Sequence, residues 1–379
     1  METSETPASD AQGGAVGHPM FEHAPFLVFW EMTRACELVC RHCRACAMPW
    51  RDPLELDGAE GRRLLEQIRA MGTPLCVLTG GDPAMRPDLV DLVEHGTRVG
   101  LRMALTPSAT ARVTRELLER LRDAGLDRLA LSVDGVHAAS HDGLRGVDGS
   151  YVRTRALLEA ARGLGLRLQV NTTLHAGNAH ELEALGESLI PLGIELWSVF
   201  LIVPTGRARP EDVPSPQAVE ALLERLAELA ARLPFEVKTT AAPMYRRVLL
   251  TRRERLRRGL PRTHASGLGR APPGINDGRG VLFVSHRGEV MPSGLLPIAC
   301  GDVRREPIER IYRRAPLLVR LRDPDALRGK CGACEYRKLC GGSRARAYAV
   351  HGDPLGPDPA CAYVPTGWAG ERVATPSGA

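Results

Sequence analysis

The cysteines of this chain are clustered, and these clusters concentrate the chemistry that the sequence can offer. Cys36, Cys40 and Cys43 have the spacing C-x3-C-x2-C, and Cys46 follows three residues later. Three thiolates can hold a four-iron cluster and leave one iron without a protein ligand, so that a small molecule can bind there. The spacing therefore predicts an iron–sulfur site with an open position.

Two other interpretations of this segment remain open. Cys40, Cys43 and Cys46 also form C-x2-C-x2-C, the start of a ferredoxin-type run that would enclose a cluster for electron transfer alone. Trp50 stands where that run needs its next cysteine. Zinc is the third candidate for such thiols. We expect Cys46 to be a neighbouring thiol and not a ligand.

A second group of cysteines lies near the C-terminal end of the sequence. Cys331, Cys334 and Cys340 have the spacing C-x2-C-x5-C, and Cys361 follows in the segment DPACAY. Four thiolates suit a site that is closed to other ligands, either an iron–sulfur cluster or a zinc ion. Clustered cysteines in a chain without a secretory signal indicate metal sites and not disulfides.

The composition argues against several classes of function. Hydrophobic residues make up 44% and charged residues 25% of the 379 residues, which is typical of globular proteins. The sequence contains no apolar run of about 18 residues, so it predicts no membrane span. The composition of residues 1–22 predicts a disordered leader and not a secretory signal. We therefore expect a cytoplasmic protein with no membrane partner.

The distribution of charge and aromatic residues bears on nucleic-acid binding. The net charge of +5 is modest, and the basic run TRRERLRR at 251–258 is typical of a solvated helix face. Aromatic residues make up only 4% of the chain, so side chains on which bases could stack are scarce. We expect no nucleic-acid partner.

The elements that must position the thiols alternate between strand and helix patterns. Short apolar runs are typical of parallel strands covered on both faces, and the carboxyl ends of such strands carry the chemistry of α/β proteins. The alternation fits either an open doubly wound sheet or a barrel-like sheet. The predicted strands are Phe26–Met32, Leu75–Thr79, Leu101–Thr106, Arg128–Asp134, Leu166–Thr173 and Ile194–Val203. The predicted helices lie at 57–71, 114–125, 151–165, 181–193 and 215–233.

The triad of cysteines, its place directly after the first strand, and the six strand–helix units resemble the radical S-adenosylmethionine (SAM) superfamily. The resemblance implies an α/β fold, a partial (βα)6 TIM-like barrel, with a [4Fe–4S] cluster at Cys36, Cys40 and Cys43. It also implies that the reduced cluster cleaves SAM to methionine and a 5′-deoxyadenosyl radical, which abstracts a hydrogen atom from the substrate. A flavodoxin- or ferredoxin-type protein is the electron donor implied by this chemistry.

The resemblance also assigns residues to SAM binding. Family members bind the SAM amino group through the backbone of a Gly-Gly-Glu-Pro motif, and the second strand here ends in LTGGDP, with Asp82 in place of the glutamate. Arg145 resembles the arginine that pairs with the SAM carboxylate, for which a guanidinium fork is suited. The residues that the resemblance places near SAM or the substrate are Gly80, Gly81, Asp82, Pro83, Ser108, Ser132, Asp134, Arg145 and Asn171.

The amino-acid composition of the sequence changes after the last predicted helix. Residues 261–280 are rich in Gly and Pro and predict a linker or a substrate-covering loop, and VLFVSHRGEVMPSG then predicts a hairpin. We therefore expect a barrel at 23–260 and a small C-terminal iron–sulfur domain at 281–379.

The spacing of the four C-terminal cysteines resembles the SPASM extension of radical SAM enzymes, in which they hold an auxiliary [4Fe–4S] cluster. An inner cluster would need further cysteines, and Ser293 stands where the family usually has one of them. The segment RAR, after CGGS, occupies the place of another. We therefore predict one auxiliary cluster and not two.

The phrases GGDPAMRPDL and CGGSRARAYAVHGDP resemble the branch that contains haem b synthase and haem d1 biosynthesis proteins. This resemblance implies oxidation of a tetrapyrrole, for example by decarboxylation of a propionate. Ribosomal-peptide maturases of the SPASM group are the alternative, with a peptide instead of a small-molecule substrate. Alternatives of other classes are a two-cluster electron-transfer protein and a zinc-stabilised interaction protein, neither of which would cleave SAM.

Overall fold

An eleven-stranded, mostly parallel sheet forms the centre of the computed structural model, which describes residues 20–257 and 274–370. The strands are β1 (Leu27–Glu31), β2 (Leu75–Thr79), β3 (Arg102–Leu105), β4 (Arg128–Ser132), β5 (Leu168–Leu174), β6 (Leu196–Leu201), β7 (Glu236–Thr240), β8 (Asn276–Asp277), β9 (Gly280–Val284), β10 (Glu289–Met291) and β11 (Gly301–Asp302). Their order in the sheet is β11-β10-β9-β1-β2-β3-β4-β5-β6-β7, and β8 pairs with β9 outside this path.

Helices pack against one face of this sheet and bury its apolar side chains. The helix after Asp57 begins with a capping box, because Glu60 N–H donates to the Asp57 carboxylate and Asp57 N–H donates to that of Glu60. Among the described helices, none is long and apolar enough to cross a membrane. The helices are α1 (Met20–His23), α2 (Gly58–Ala70), α3 (Leu89–Arg98), α4 (Arg115–Asp123), α5 (Ala138–Arg145), α6 (Ser150–Gly163), α7 (Leu182–Ser188), α8 (Pro216–Ala230), α9 (Met244–Arg257), α10 (Ile308–Arg314), α11 (Pro316–Arg322), α12 (Gly329–Ala333) and α13 (Arg344–His351).

The two faces of the barrel strands differ in burial, most clearly in β5. Its residues alternate strictly between buried and partly exposed, with Val170 buried in the core and Asn171 partly exposed. Successive side chains of a strand point to opposite faces of the sheet. One face of β5 is therefore sealed by helices, and the other lines an interior that solvent can enter.

The C-terminal part of the chain continues the barrel sheet. Strand β9 pairs in parallel with β1, with Leu27 opposite Val281, so eight parallel strands run from β9 through β1 to β7. β10 then turns back along β9 in antiparallel orientation, which confirms the hairpin predicted around His286. The C-terminal domain is thus joined to the barrel through backbone hydrogen bonds.

A buried ionic network joins the same two parts through side chains. His286 in the hairpin lies between two carboxylates, 3.1 Å from Glu31 Oε2 and 3.2 Å from Asp52 Oδ2. Arg44 donates to the other Glu31 oxygen at 3.0 Å. Burial alone raises the pKa of Glu31, but Arg44, His286 and Arg34 together lower it from 4.5 to about 2. Glu31 is therefore ionised in the folded protein at neutral pH.

All six predicted strands are present, with ends within two residues of the predicted ones. The sequence pattern did not identify β7 or α3, and residues 276–280 of the predicted linker lie in or beside strands β8 and β9. β7 has the sequence EVKTT, in which only Val237 belongs to the apolar core, so the strand has no apolar run.

Residues 1–19, 258–273 and 371–379 lie outside the described residues, so most of the predicted leader and linker lie there too. The end of the predicted leader is described and belongs to the folded protein. Phe21 is buried, and its carbonyl oxygen accepts a 2.6 Å hydrogen bond from the Tyr312 hydroxyl. The ordered barrel region therefore begins slightly before residue 23.

Candidate active site

The three cysteines of the triad lie in the loop that follows β1, at the carboxyl edge of the barrel. Cys36 and Cys40 are buried and Cys43 is half-buried. Two backbone groups of the loop point at their sulfurs: Leu38 N–H donates to Cys36 Sγ and Ala47 N–H to Cys43 Sγ, each at 3.4 Å. Amide donors of this kind stabilise the sulfurs of an iron–sulfur cluster. The loop therefore presents three thiols in a setting suited to a cluster.

Cys46 lies in the same loop but in a different environment. It is exposed, and it is a non-glycine residue with a positive φ of 48°. Left-handed conformations are uncommon for residues with a side chain and mark a tight turn. That Cys46 is not a ligand stays a prediction, and its exposure agrees with it.

The two glycines after β2 are required by the close approach of the triad loop. A Cβ at Gly80 would lie 2.5 Å from the carbonyl oxygen of Thr33, and one at Gly81 would lie 2.4 Å from that of Ala35. The contact is held by hydrogen bonds from Gly81 N–H to Thr33 O at 2.8 Å and from Asp82 N–H to Ala35 O at 2.7 Å. The sequence predicted these glycines as SAM contacts, and they also fix the triad loop against the sheet.

Asp82 and Ser108 connect the ends of β2 and β3. The buried Asp82 carboxylate accepts hydrogen bonds from Thr110 Oγ1 at 2.7 Å and from Ser108 N–H at 3.2 Å. Burial raises the pKa of Asp82 to about 6, although these donors oppose the shift. The Ser108 hydroxyl donates to Gly81 O at 2.9 Å and lies 3.3 Å from Cys36 Sγ. Pro83 is buried and begins a short 3-10 turn in the same loop. The Asp82 side chain thus has a structural role that the sequence interpretation missed.

Asp134 and Arg145 form an ion pair beside the triad. Arg145 Nε donates to Asp134 Oδ2 at 2.7 Å, and Arg145 Nη1 lies 3.9 Å from Cys40 Sγ. Burial works in the opposite direction, but the Arg145 guanidinium holds the pKa of the Asp134 carboxyl below its ordinary value. The other Asp134 oxygen accepts a hydrogen bond from Thr173 N–H at 2.7 Å. Arg145 therefore lies next to the thiols, where the resemblance puts the carboxylate of SAM.

Ser132 and Asn171 face the barrel interior at the same level, because they are register partners on β4 and β5. Asn171 Oδ1 accepts a hydrogen bond from Gln169 Nε2 at 2.7 Å, which leaves its amide hydrogens directed elsewhere. Both side chains are partly exposed. They line the accessible interior below the triad, in agreement with their predicted place near SAM.

His42 lies between two of the predicted ligands and was not singled out from the sequence. The residue is half-buried, but its Nδ1 is shielded from solvent and has no hydrogen-bond partner, and desolvation lowers its pKa to about 4. A buried polar atom without a partner is costly in a protein interior. This nitrogen is a candidate contact for a bound group, and the position of His42 between Cys40 and Cys43 in the sequence was the signal that could have identified it.

The four C-terminal thiols line one recess that is partly open to solvent. Gly342 N–H donates to Cys340 Sγ at 3.4 Å, and Asp358 N–H donates to Cys331 Sγ at 3.3 Å. Arg344 Nη2 approaches the same Cys331 sulfur at 3.5 Å. The recess is completed by Cys334 and Cys361, with Arg247 and the rings of Tyr336 and Tyr363 around it.

The donor sets distinguish a cluster from a single ion. Within the described parts of the chain, no group of three or more His, Cys, Asp or Glu side chains could hold one metal ion. A zinc ion needs its ligands to converge on one point at about 2.3 Å for sulfur. An iron–sulfur cluster spreads its thiolates around a larger body. The four thiols around a recess therefore fit a cluster better than zinc, and the triad fits a cluster with one open iron.

Two arginines occupy the places where an inner cluster would need more cysteines. Arg346 is fully buried, pairs with the fully buried Asp358 at 3.1 Å, and donates to Ala241 O at 2.7 Å. Arg344, also buried, donates to Gly356 O at 2.7 Å. Ser293 is buried in the hairpin region. These side chains are engaged in protein contacts, in agreement with the prediction of one auxiliary cluster.

Comparison with known proteins identifies relatives along most of the chain. The radical SAM superfamily model matches residues 30–189. An AdoMet-dependent heme synthase of Methanosarcina barkeri is 38% identical over 346 residues, covering 90% of this chain and 98% of that protein. A pre-heme d1 synthase of Dinoroseobacter shibae is 29% identical, with 88% and 85% of the two chains covered. A PqqA peptide cyclase of Rhodopseudomonas palustris is also 29% identical, with 90% and 88% covered.

A solved structure supports the same assignment at the level of fold. Streptococcus suis SuiB bound to S-adenosylmethionine matches with a TM-score of 0.69 and 16% identity, over 90% of this chain and 78% of that one. The predicted α/β partial barrel is thereby confirmed. Since a 38% identical relative also covers nearly the whole chain, this protein belongs to the radical SAM superfamily, enzymes that use SAM with a [4Fe–4S] cluster.

Proposed function

We propose that this enzyme removes a hydrogen atom from a propionate side chain of a tetrapyrrole and so converts the propionate to a vinyl group. The hydrogen atom ends in 5′-deoxyadenosine, the carboxylate leaves as CO2, and one electron must pass to an acceptor. The observation that supports this radical chemistry is a loop at the carboxyl edge of the barrel with three buried or half-buried thiols, Cys36, Cys40 and Cys43, beside an exposed Cys46.

The proposed role of the triad is to hold the cluster that binds SAM. When bound, the cluster and SAM supply a 5′-deoxyadenosyl radical. Cys36, Cys40 and Cys43 are the proposed ligands, and the unpartnered Nδ1 of His42, which lies between two of them in sequence, is proposed as a further polar contact. The tight packing of Gly80 and Gly81 on the triad loop fixes the backbone carbonyls that would bind the amino group.

The other site residues are proposed to orient SAM inside the barrel. Arg145 lies beside Cys40 and would pair with the SAM carboxylate while Asp134 holds its guanidinium in place. Asp82 and Pro83 fix the glycine loop, Ser108 touches both that loop and Cys36, and Ser132 and Asn171 line the interior below. The buried outer face of the barrel keeps these contacts away from bulk water on that side.

The C-terminal thiols are proposed to hold one auxiliary [4Fe–4S] cluster, which would supply a group able to accept an electron. Cys331, Cys334, Cys340 and Cys361 surround one recess, and a complete set of four thiolates leaves no iron open to substrate. A flavodoxin- or ferredoxin-type protein in the cytoplasm is the proposed electron donor for SAM cleavage. We also propose residues 23–260 and 281–379 as the barrel and the auxiliary cluster domain, linked by 261–280.

The proposed tetrapyrrole substrate follows from the relatives and from the chain's own chemistry. The relative with 38% identity is named a heme synthase, whereas the peptide cyclase is 29% identical. The three thiols at the carboxyl edge of the barrel suit the hydrogen-atom abstraction that conversion of a propionate requires. A peptide substrate is the alternative outcome that the experiment must distinguish.

The test is an anaerobic assay of the full chain reconstituted with iron and sulfide. Dithionite, SAM and the iron complex of coproporphyrin III are added, and mass spectrometry follows 5′-deoxyadenosine and the porphyrin. We expect a porphyrin with a vinyl group in place of a propionate, and none with Cys36→Ala. Formation of 5′-deoxyadenosine with unchanged porphyrin would contradict the tetrapyrrole substrate and favour a peptide. Absence of SAM cleavage by a protein that holds its clusters would favour the electron-transfer alternative.

A further inference from the structure

A row of polar side chains crosses four neighbouring strands of the barrel. Ser132 on β4 is the register partner of Asn171 on β5, Asn171 is the partner of Ser198 on β6, and Ser198 is the partner of Lys238 on β7. Register partners on adjacent strands point to the same face of a sheet. The four side chains therefore lie at one level and on one face.

That face is the interior of the barrel. The residues that flank the row and point the other way, Val133, Val170, Trp197 and Val237, all belong to the buried core under the helices. Lys238, Asn171 and Ser132 are only partly buried, as expected for side chains that line an accessible interior, whereas Ser198 in the same row is fully buried. Ser132 and Asn171 are already proposed SAM contacts, so Lys238 belongs to the same lining.

Lys238 is a cation without a partner. Within the described residues, its ammonium group makes no hydrogen bond and no ion pair, in contrast to Arg128 at the base of β4, which pairs with Glu195 at 3.2 Å. Burial lowers the pKa of Lys238 to about 8, and the charge of Arg128 acts in the same direction. A desolvated and unpaired charge is unfavourable, so an anion in the barrel would be stabilised there.

The residue type also suits a ligand and not a structural role. The chain has three lysines among its 50 basic residues, so arginine is its usual cation, and Lys238 is the lysine that lies in the barrel. Its ammonium is a compact point charge on a flexible stem, whereas the buried arginines of this fold use their planar forks in fixed hydrogen-bond patterns. The ammonium group of a flexible lysine side chain can adjust to different positions of a substrate carboxylate.

We propose that Lys238 binds a carboxylate of the substrate inside the barrel. The proposal rests on the proposed function, because a tetrapyrrole propionate is the carboxylate that it assigns to this position. The carboxylate of SAM is the other possible source, but it must lie at the triad, where Arg145 is 3.9 Å from Cys40 Sγ. Lys238 lies three strands from Ser132 along the row, roughly 14 Å at the usual strand spacing.

The experiment measures binding by the reconstituted full-length holoenzyme. Coproporphyrin III, which carries four propionates, is titrated against its tetramethyl ester, which carries no charge, and SAM binding is measured in parallel. The variants are Lys238→Met, which removes the charge at similar size, and Lys238→Arg, which keeps it. Lys338→Met is the matched control, because Lys338 is exposed and lies outside the barrel.

We expect Lys238→Met to weaken binding of coproporphyrin III roughly ten- to a hundredfold, the usual effect of losing a hydrogen bond to a charged group. Binding of the ester and of SAM should not change, Lys338→Met should behave as the wild type, and Lys238→Arg should retain part of the affinity. Melting temperature and cluster absorbance report folding. If Lys238→Met loses its clusters, two other comparisons of binding affinity provide the test. One compares the wild type with Lys238→Arg, and the other compares coproporphyrin III with its tetramethyl ester.

The outcomes separate this inference from the proposed function. Equal binding of the free acid by wild type and Lys238→Met, or equal binding of acid and ester by the wild type, would overturn the role of Lys238 alone. A loss of SAM affinity with unchanged porphyrin affinity would also overturn it and assign the lysine to the SAM carboxylate. A wild type that cleaves SAM but binds no porphyrin would overturn both proposals.

Discussion

The two groups of thiols in this enzyme differ in where their neighbours come from. The triad after β1 is approached by groups from several other strand ends, such as the Ser108 hydroxyl and the Arg145 guanidinium. The C-terminal thiols surround a recess of their own, and the groups that donate to Cys331 and Cys340 come from the same short segment. The donors to the C-terminal sulfurs come from one short segment, although Arg247 of α9 also lines that recess, whereas the triad is approached in addition by side chains from other strand ends.

The difference matches the number of ligands. An incomplete set of three thiols leaves a position for an exchangeable ligand, so the surrounding strands must supply the contacts that hold that ligand. A complete set of four needs no such contacts and requires only donors to its sulfurs. The comparison teaches that open and closed sites can be distinguished by the origin of the neighbouring side chains.

Loss of a triad thiol has the largest expected effect. Cys36→Ala, Cys40→Ala or Cys43→Ala should reduce 5′-deoxyadenosine formation to the level of a protein-free mixture, because the two remaining thiols do not hold the cluster that binds SAM. Cys46→Ala should retain most of the activity, since Cys46 is exposed. The assay is the anaerobic SAM-cleavage reaction under dithionite. A Cys46→Ala variant as inactive as the other three would mean that all four thiols are required, whereas an inactive Cys46→Ala beside an active Cys36→Ala would mean that the triad is Cys40, Cys43 and Cys46.

Loss of a C-terminal thiol should affect metal content more than SAM cleavage. Cys340→Ala is expected to lose about half of the bound iron, because one of two four-iron clusters can no longer be held. Cleavage of SAM in the absence of substrate should persist, since the triad is intact. Iron and sulfide analysis beside 5′-deoxyadenosine measurement tests this. Unchanged iron content, or zinc in place of iron, would contradict an auxiliary cluster.

Substitution of Gly81 should affect the triad without removing a ligand. A methyl group at Gly81 would lie 2.4 Å from Ala35 O and 2.6 Å from Arg34 O, so Gly81→Ala must displace the triad loop. We expect lost SAM binding and a lower melting temperature. Gly163→Ala at the end of α6 is the control, since nothing lies within 4 Å there. Alanine in place of this helical glycine should leave the free energy of unfolding unchanged or raise it by up to about 1 kcal/mol. Equal SAM affinity in both variants would disprove the packing argument.

Removal of one charge from the buried pair Arg346–Asp358 should destabilise the C-terminal motif. Both side chains are 0% exposed. Asp358→Asn leaves an uncompensated buried cation and should lower the free energy of unfolding by about 3–5 kcal/mol. Replacing both residues, as Arg346→Met with Asp358→Leu, should cost much less. Denaturant titration of the single and double variants measures the difference, and additive losses would contradict this account.

The pH dependence of stability should report the network around Glu31. Its pKa is lowered from 4.5 to about 2, so its stabilising effect is complete above pH 4.5 and is lost as the pH falls through about 2. The lost contribution is roughly 3 kcal/mol. Glu31→Gln should flatten this part of the profile of unfolding free energy against pH. A Glu31→Gln profile that falls as steeply as that of the wild type would assign the acid sensitivity to other carboxylates.

The local features of this fold could be predicted from the sequence, because their causes are local. The apolar run LCVLT gave β2 its bounds, Leu75–Thr79, and Asp57 with Glu60 indicated where α2 begins. The spacing of the cysteines indicated both metal sites for a similar reason, since ligands in one loop lie close in sequence. The structure confirmed this strand and this helix start, and the two ligand sets stay predictions.

The remaining features depend on residues that are distant in sequence. Strand β7 has few apolar residues because one of its faces lines a polar interior. Its sequence therefore has no apolar run, and the segment around Lys238 was not predicted as a strand. The partnership of Glu31 with His286, and of β1 with β9, could not be predicted from either segment alone. Register across four strands is likewise a property of the assembled sheet, and it is what brings Lys238 level with Asn171.

The pairing of β1 with β9 has a consequence for biosynthesis. β1 and the triad loop leave the ribosome early, whereas the partner strand Gly280–Val284 is synthesised after the whole barrel. Until then one hydrogen-bonding edge of β1 stays unpaired, and such an edge invites association between nascent chains. The high sequence separation of this contact also slows the final folding step. Insertion of the first cluster into a finished pocket therefore has to wait for translation to reach the hairpin.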